Sequence, residues 1–359
     1  MGERVPPVPL EHEELVVRRG RRSGLTMAVA VHSTALGPAL GGVRLWRYAS
    51  PEDGVRDALR LARGMTHKAA AAGLELGGGK GVVCAPPGDA WKNGGPGIER
   101  RAVMHDFGDL VDSLDGRYVT AEDVGVGAED IATIAERTPH AVGLPEAGGG
   151  AGDPSPYTAR GVAAAIRACA AAELGAGDLA GLEVVVVGAG HVGERLARLL
   201  AAEGAELAIS DVDPAKRRLA AELGAGWIEP AAAITAPCDV LAPCALGGAI
   251  DPGNVDALRC RIVCGSANNL LSEERLAERL HERGVLCAPD FVANAGGLIS
   301  VYRELRDLGA DEVGRLVEGI GDAIGRVLAD AEARGVPPLD AAHELARRRL
   351  EARPAAIAA

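Results

Sequence analysis

The chain has 359 residues, a formal net charge of −12, 48% hydrophobic and 25% charged residues, a length that accommodates about two domains with separate cores. The acidic balance, with no basic patch, excludes a nucleic-acid surface. Apolar runs of about ten residues fall short of the roughly 20 a membrane helix needs, and the start, MGERVPPVPLEHEEL, lacks the apolar core of a secretory signal.

In chain order, LVVRR and LTMAVAVHS read as strands, followed by the Gly/Pro corner LGPALGGVRLW. Residues 51–68 place Val55, Ala58, Leu59, Ala62 and Met65 on one helical face. KGVVCAP reads as a strand, PPGDAWKNGGPG as a surface loop, residues 98–114 as a helix, and RYVTAEDVG as a strand entering a loop. The stretch EAGGGAGDPSP, 146–156, is the sharpest break in composition and is expected to divide a first domain, 1–150, from a second, 151–337. Beyond it, YTARGVAAAIRACAAAELG is a helix, and LEVVVVGAG, AELAISDVD, DVLAPCA, CRIVCGSANN and VLCAPDFV alternate as strands with helical segments. Strict alternation implies an α/β fold with a doubly wound parallel sheet, the Rossmann arrangement. A long helix from about 311 and a last helix over 338–359 close the chain, the latter expected to pack back on the first domain.

Seven cysteines form no CxxC pair and eight histidines no HxxxH or HExxH pair, so no metal site is expected. Thiols without such pairing suit a reducing cytoplasm. The segment VVVVGAGHVG carries G-x-G-x-x-G at Gly188, Gly190 and Gly193, between an apolar strand and a helix. Gly188 permits the tight turn, Gly190 admits a pyrophosphate to the backbone, and Gly193 lets helix and strand approach. Asp211, at the tip of the next strand, is placed to accept hydrogen bonds from ribose hydroxyls and to repel a 2′-phosphate, which favours NAD over NADP. Lys216, Arg217 and Arg218 downstream are expected on a solvated helix face.

The stretch GLELGGGKGVV carries Lys80 behind three glycines. It is no phosphate-binding P-loop, because Leu74 stands where that motif has its first Gly and Gly81 where it has its hydroxyl. Two readings remain for this residue, a structural turn that carries a lysine or an amine placed in a dry site. Lys68 is the second lysine in an apolar context, and Asp123 lies in TAEDVG. One lysine would stay charged and hold a carboxylate while the other, its pKa lowered by burial, cycles a proton.

Seven stretches, LGPALGGVR, RGMTHKAAAAGLELGGGK, GRYVTAEDVG, DPSPYTARGV, APCALGGAI, GSANN and APDFVANAGGLI, resemble in order and spacing the leucine/phenylalanine/valine dehydrogenases of the glutamate dehydrogenase superfamily. The resemblance spans about residues 15–350. It implies that Lys68 binds the substrate carboxylate, Lys80 is the general acid/base that activates water, and Asp123 assists proton movement on the amino group. Gly41 and Gly42 would offer backbone contacts to the substrate, with Leu40, Met65, Ala121, Leu298 and Val301 around its side chain and Asn268 near both substrate and nicotinamide. His191, Val192, Cys244, Ala245 and Asn294 would join the three glycines and Asp211 around NAD. The glycines before Lys80 would then admit substrate, water and cofactor to it and leave it poorly hydrated. The reaction implied is reversible oxidative deamination of an L-amino acid to a 2-oxo acid and ammonium by a homo-oligomer, in a cleft between the domains that closes for hydride transfer.

Glutamate enzymes of this superfamily have a lysine where this chain has Leu40, so a glutamate side chain would meet no partner. Leu40, Met65 and Ala121 resemble the leucine and valine types, and phenylalanine enzymes tend to have smaller residues at Leu40 and Ala121. Leu298 in place of valine, Val43 in place of threonine, Asp153 in place of asparagine and Tyr157 in place of a small apolar residue depart from the usual pattern and bear on which amino acid is preferred. A phenylalanine dehydrogenase and a non-catalytic NAD-binding relative are the alternatives. A 2-hydroxy acid dehydrogenase would need an active-site His paired with a carboxylate-binding Arg, and no such constellation stands out.

Overall fold

The computed structural model describes residues 11–85, 99–144 and 152–352. The chain divides into two compact units, one holding most of the chain up to Gly152 and the other Asp153–Arg349 with Ala71–Gly73. The surface loop expected at 86–97 and residues 146–151 of the expected domain boundary lie outside the described residues.

The first unit is built on five strands, β1 (Glu14–Arg19), β2 (Thr26–Ser33), β3 (Ala39–Trp46), β4 (Gly77–Cys84) and β5 (Tyr118–Ala121). Their order is β1-β2-β4-β3-β5, antiparallel from β1 to β4 and parallel from β4 through β3 to β5. The stretch expected to be a Gly/Pro corner is therefore a full strand, because Gly37 and Pro38 precede β3 and only Gly41 and Gly42 lie within it. One face of the sheet carries α1 (Pro51–Ala71), whose Ala58 and Ala62 pack with Ala30 and Val82. Ser50 starts this helix by accepting the Asp53 N–H, and Glu52 and Asp53 lie at its positive end. On the other side, α2 (Arg100–Asp112) and the short α3 (Ala128–Ala135), which was not expected, share one apolar cluster with Val29, Val43, Val83 and Tyr118.

The glycines around Lys80 also have a cause within the fold. They lie inside β4, where alternate residues face opposite sides of the sheet. A Cβ at Gly77 would stand 1.9 Å from the Ser33 carbonyl oxygen, at Gly78 2.0 Å from the Thr66 nitrogen of α1, at Gly79 2.6 Å from the Tyr118 ring, and at Gly81 2.4 Å from the Phe107 ring. These glycines admit neighbouring backbone and two aromatic rings.

The second unit opens with α4 (Ser155–Leu174) and continues through β6 (Glu183–Val187), α5 (His191–Ala202), β7 (Glu206–Ser210), α6 (Arg217–Glu222), β8 (Gly226–Trp227), α7 (Pro230–Ala233), β9 (Cys238–Pro243), β10 (Cys260–Val263), α8 (Leu276–Glu282) and β11 (Leu286–Cys287). The six strands are parallel in the order β11-β10-β9-β6-β7-β8. From β6 the chain winds outward to β8, then returns to β9 on the opposite side of β6. The crevice at the ends of β6 and β9 is thus the switch point where such sheets bind dinucleotides.

The stretch VLCAPDFV is a strand only over Leu286–Cys287; Pro289 ends it and α9 (Asp290–Ala293) follows. Then come α10 (Gly296–Arg306), not expected because it opens on two glycines, α11 (Ala310–Arg334) and α12 (Pro338–Glu351). α12 was expected on the first domain; its Leu350 and Glu351 group with the first unit and its residues up to Arg349 with the second. There His343 stacks on Phe291 at 5.1 Å and Arg348 lies 3.5 Å from Asp330 of α11. Among the described residues no helix is long and apolar enough to cross a membrane.

If Gly78 closes the contact between sheet and helix, Gly78→Ala must push α1 off β4. Urea unfolding is expected to show a loss of at least about 1–3 kcal/mol; unchanged stability would contradict the packing role.

Candidate functional site

Gly78, Lys80 and Val82 face α1, since β4 alternates and Val82 packs with Ala58 and Ala62. Lys80 is 5% exposed, and its Nζ lies 2.9 Å from Asp123 Oδ2. Burial pushes the Lys80 amine below its ordinary pKa, and the attraction of Asp123 only partly offsets this. For Asp123 burial acts the other way, favouring the neutral acid, but Lys80 and Arg44 together outweigh it and hold the carboxyl below its usual range.

Asp123 follows β5, in a turn where its carbonyl accepts the Val126 N–H at 2.9 Å. Gly42, paired with Ala121, makes room for it: a Cβ there would stand 2.2 Å from the Glu122 carbonyl oxygen and 2.9 Å from Asp123 Cβ. Gly41 is equally constrained, 1.7 Å from the Gly79 carbonyl oxygen by the same construction, and its own carbonyl accepts the Tyr118 hydroxyl at 2.5 Å.

Leu40 pairs with Gly78 and is buried, and Ala121 ends β5 opposite Gly42. Met65 and Lys68 are half-buried on α1, one turn apart. Val43 belongs to the apolar cluster on the opposite side of the sheet from Lys80, so the missing threonine hydroxyl does not concern this site.

Arg44 was missed by the sequence analysis. Its Nε donates to Asp123 Oδ2 at 2.8 Å and its NH1 to Asp57 Oδ2 at 3.0 Å. Asp57 also accepts from the Tyr48 hydroxyl and from Arg60, each at 2.8 Å. The signal available was an arginine two residues after Gly42 in a strand of otherwise apolar residues, which period-two alternation puts on the Lys80 face.

In the second unit the glycine turn has the geometry a dinucleotide requires. Gly188 has a φ of +98°, and a Cβ on it would strike Ala245 at 2.7 Å. One on Gly193 would meet the Gly188 carbonyl oxygen at 1.9 Å. A Cβ on Gly190, by contrast, meets nothing within 4 Å, and its φ of −72° is open to any residue. The fold therefore does not require this glycine, and the space beside it leaves the backbone at the start of α5 open to a phosphate. His191 and Val192 begin that helix, whose first N–H groups have no partner within it. Asp211 Oδ2 accepts the Ala189 N–H at 2.7 Å and Oδ1 the Asp213 N–H at 2.8 Å, which holds the carboxylate beside the turn. These residues fit a dinucleotide.

Across the switch point, the Cys244 N–H bonds to the Val187 carbonyl at 2.7 Å, and Ala245 covers Gly188. Asn294 is buried and donates to Asn268 Oδ1 at 3.0 Å and the Ser266 carbonyl at 3.2 Å, which joins two expected site residues. Leu298 and Val301 lie one turn apart on α10. Lys216 pairs with Glu194 at 3.1 Å, and Arg217 pairs with Glu229 and lies over the Trp227 ring at 4.9 Å. Asp153 pairs with Arg195 at 2.8 Å and accepts the Ser155 N–H at 2.8 Å, so its extra carboxylate is compensated locally.

The model of the Glu/Leu/Phe/Val dehydrogenase dimerisation domain matches residues 12–140, and that of the Glutamate/Leucine/Phenylalanine/Valine dehydrogenase domain matches 216–353. The chain is similar to the leucine dehydrogenase of Thermoactinomyces intermedius, with 43% identity over 95% of this chain and 91% of the relative. It is also similar to the valine dehydrogenase of Streptomyces virginiae, with 40% identity over 94% of each. The crystal structure of L-tryptophan dehydrogenase from Nostoc punctiforme superposes with a TM-score of 0.85 at 34% identity, over 96% of this chain and 97% of that one.

The open space at Gly190 makes a sharp prediction. Gly190→Ala should change stability by less than about 1 kcal/mol, while calorimetric titration should show dinucleotide affinity falling at least about tenfold. Unchanged affinity would mean that the open space at Gly190 is not the cofactor's.

Proposed function

Because this chain belongs to the Glu/Leu/Phe/Val dehydrogenase family and is an amino acid dehydrogenase, an oxidoreductase acting on CH–NH2 donors, we propose that it deaminates a branched-chain or small aliphatic L-amino acid oxidatively and reversibly, with NAD. The products are the 2-oxo acid, ammonium and NADH. The observation that carries this reading is the buried Lys80–Asp123 pair, an amine of lowered pKa held 2.9 Å from an ionised carboxylate.

A nicotinamide dinucleotide held at the glycine turn by its pyrophosphate would supply the acceptor for the α-hydride. The chain's own residues handle charge and protons. Lys68 holds the substrate carboxylate. Neutral Lys80 takes a proton from water as the water oxygen adds to the iminium carbon and gives that proton to the nitrogen. As the C–N bond breaks and the carbonyl forms, Lys80 takes the hydroxyl proton and passes it to the departing ammonia, which leaves as ammonium. Asp123 stabilises the ammonium that Lys80 becomes and orients the substrate amino group. Leu40, Met65 and Ala121 of the first unit would face an aliphatic side chain; a glutamate side chain there would lose several kcal/mol for want of a partner. Asp211 favours NAD through the ribose hydroxyls. The chain acts as a homo-oligomer through its first unit, the part matched by the family's dimerisation domain, in a cytoplasm that keeps its seven unpaired thiols reduced.

Absorbance of reduced nicotinamide, followed with NAD and a panel of L-amino acids at alkaline pH, tests this. Leucine and valine should turn over, glutamate should not, and Lys80→Ala should lower kcat by about 10²–10⁴. Since Lys80 must be neutral to accept a proton, kcat/KM should fall as pH drops through its pKa, at a value below the ordinary lysine value of about 10.4. Silence across the panel in a protein that binds NAD would leave the non-catalytic reading. A preference for phenylalanine or tryptophan would overturn the pocket assignment.

A further inference from the structure

Arg44 is the second cation on Asp123, and nothing in the proton transfer just described uses it. Its Nε lies 2.8 Å from Asp123 Oδ2, the same oxygen that Lys80 Nζ meets at 2.9 Å. Its other branch is held by Asp57 at 3.0 Å, and Asp57 is held in turn by Tyr48 and Arg60. The result is a row of alternating charges, Lys80, Asp123, Arg44, Asp57 and Arg60, running along the α1 face of the sheet. We infer that Arg44, anchored by Asp57, is a positioning residue for the Lys80–Asp123 pair: it keeps Asp123 in place and ionised while Lys80 gives up and regains its proton.

The argument is one of charge through a cycle. If Lys80 were the only cation on Asp123, each deprotonation of the amine would leave a half-buried carboxylate without a counter-charge, and Asp123 would compete for the proton that water must supply. A guanidinium does not titrate in a protein, so the carboxylate keeps one cation whatever Lys80 does. The fork geometry also matters. Two carboxylates at two different nitrogens fix the plane of Arg44, and Asp123, on a turn beyond its strand, inherits that rigidity.

The charged groups acting on Lys80 are Arg44 from β3, Asp57 from α1 and Asp123 beyond β5. Ala30, its partner on β2, and the flanking Val29 and Val31 carry no charge. Arg44 opposes a proton on Lys80, and Asp57 favours one. Opposite signs give opposite predictions.

This inference rests on Lys80 being the base, and the experiment separates the two. The acid limb of kcat/KM for deamination of an aliphatic L-amino acid with NAD is measured for the full-length enzyme and for Arg44→Gln, Asp57→Asn and Lys80→Ala. Arg44→Gln should move the limb to higher pH, and Asp57→Asn to lower pH, each by at least about half a unit, which is roughly a threefold change in the proton affinity of Lys80. Limbs that stay in place, or move in the same direction, would overturn the positioning role. Should Arg44→Gln fail to fold, the sign of the Asp57→Asn shift decides alone. An active Lys80→Ala enzyme would instead overturn the assignment of the base, independently of Arg44.

Discussion

The structure of the first unit turns on an amine buried in the middle of a sheet. Lys80 occupies a central strand, 5% exposed, and survives there only because Asp123 reaches it at 2.9 Å. Burying such a pair costs desolvation on both sides, and removing one partner strands a charge at a cost of about 3–5 kcal/mol. The pair needs short distances between strands, and side chains at Gly41 or Gly42 would forbid those distances. Glycine in β3 and β4 is therefore a condition for the ion pair.

The choice of residue type points the same way. The chain has 38 basic residues, of which lysine supplies only four, at positions 68, 80, 92 and 216. Arginine serves nearly every other surface pairing. Where a cation must let go of its proton, arginine cannot substitute, and lysine under desolvation can. Around Lys80 the division is explicit: the group that titrates is a lysine, and the group that holds its partner steady, Arg44, is an arginine.

The two units differed in how openly the sequence displayed them. Local rules carry the nucleotide half: four valines, three glycines at fixed offsets and an aspartate at the tip of the next strand each have a single physical meaning, and Gly188, Gly190, Gly193 and Asp211 lie in those places. The sheet of the first unit is assembled from distant segments. LGPALGGVRLW looked like a corner because its glycines were weighed as breakers, although they serve β4 and the turn at Asp123 across the sheet. Lys80 and Asp123 stood out as chemistry without partners in sequence, while Arg44 was invisible, since its two carboxylates lie 13 and 79 residues away. α3 and α10 were hidden by shortness and by an opening glycine pair. Resemblance to a family supplied roles that no local pattern contains.

The central claim is that Lys80 is an amine whose proton affinity is lowered by burial and governed by Asp123. It is tested most directly by NMR titration of protein labelled at the lysine side-chain nitrogen, where only four signals arise. The account predicts one lysine titrating well below about 10.4, lost in Lys80→Arg and moved lower still in Asp123→Asn, where the attraction that favours its proton is gone. All four lysines titrating at the ordinary value, with no response to Asp123→Asn, would contradict it.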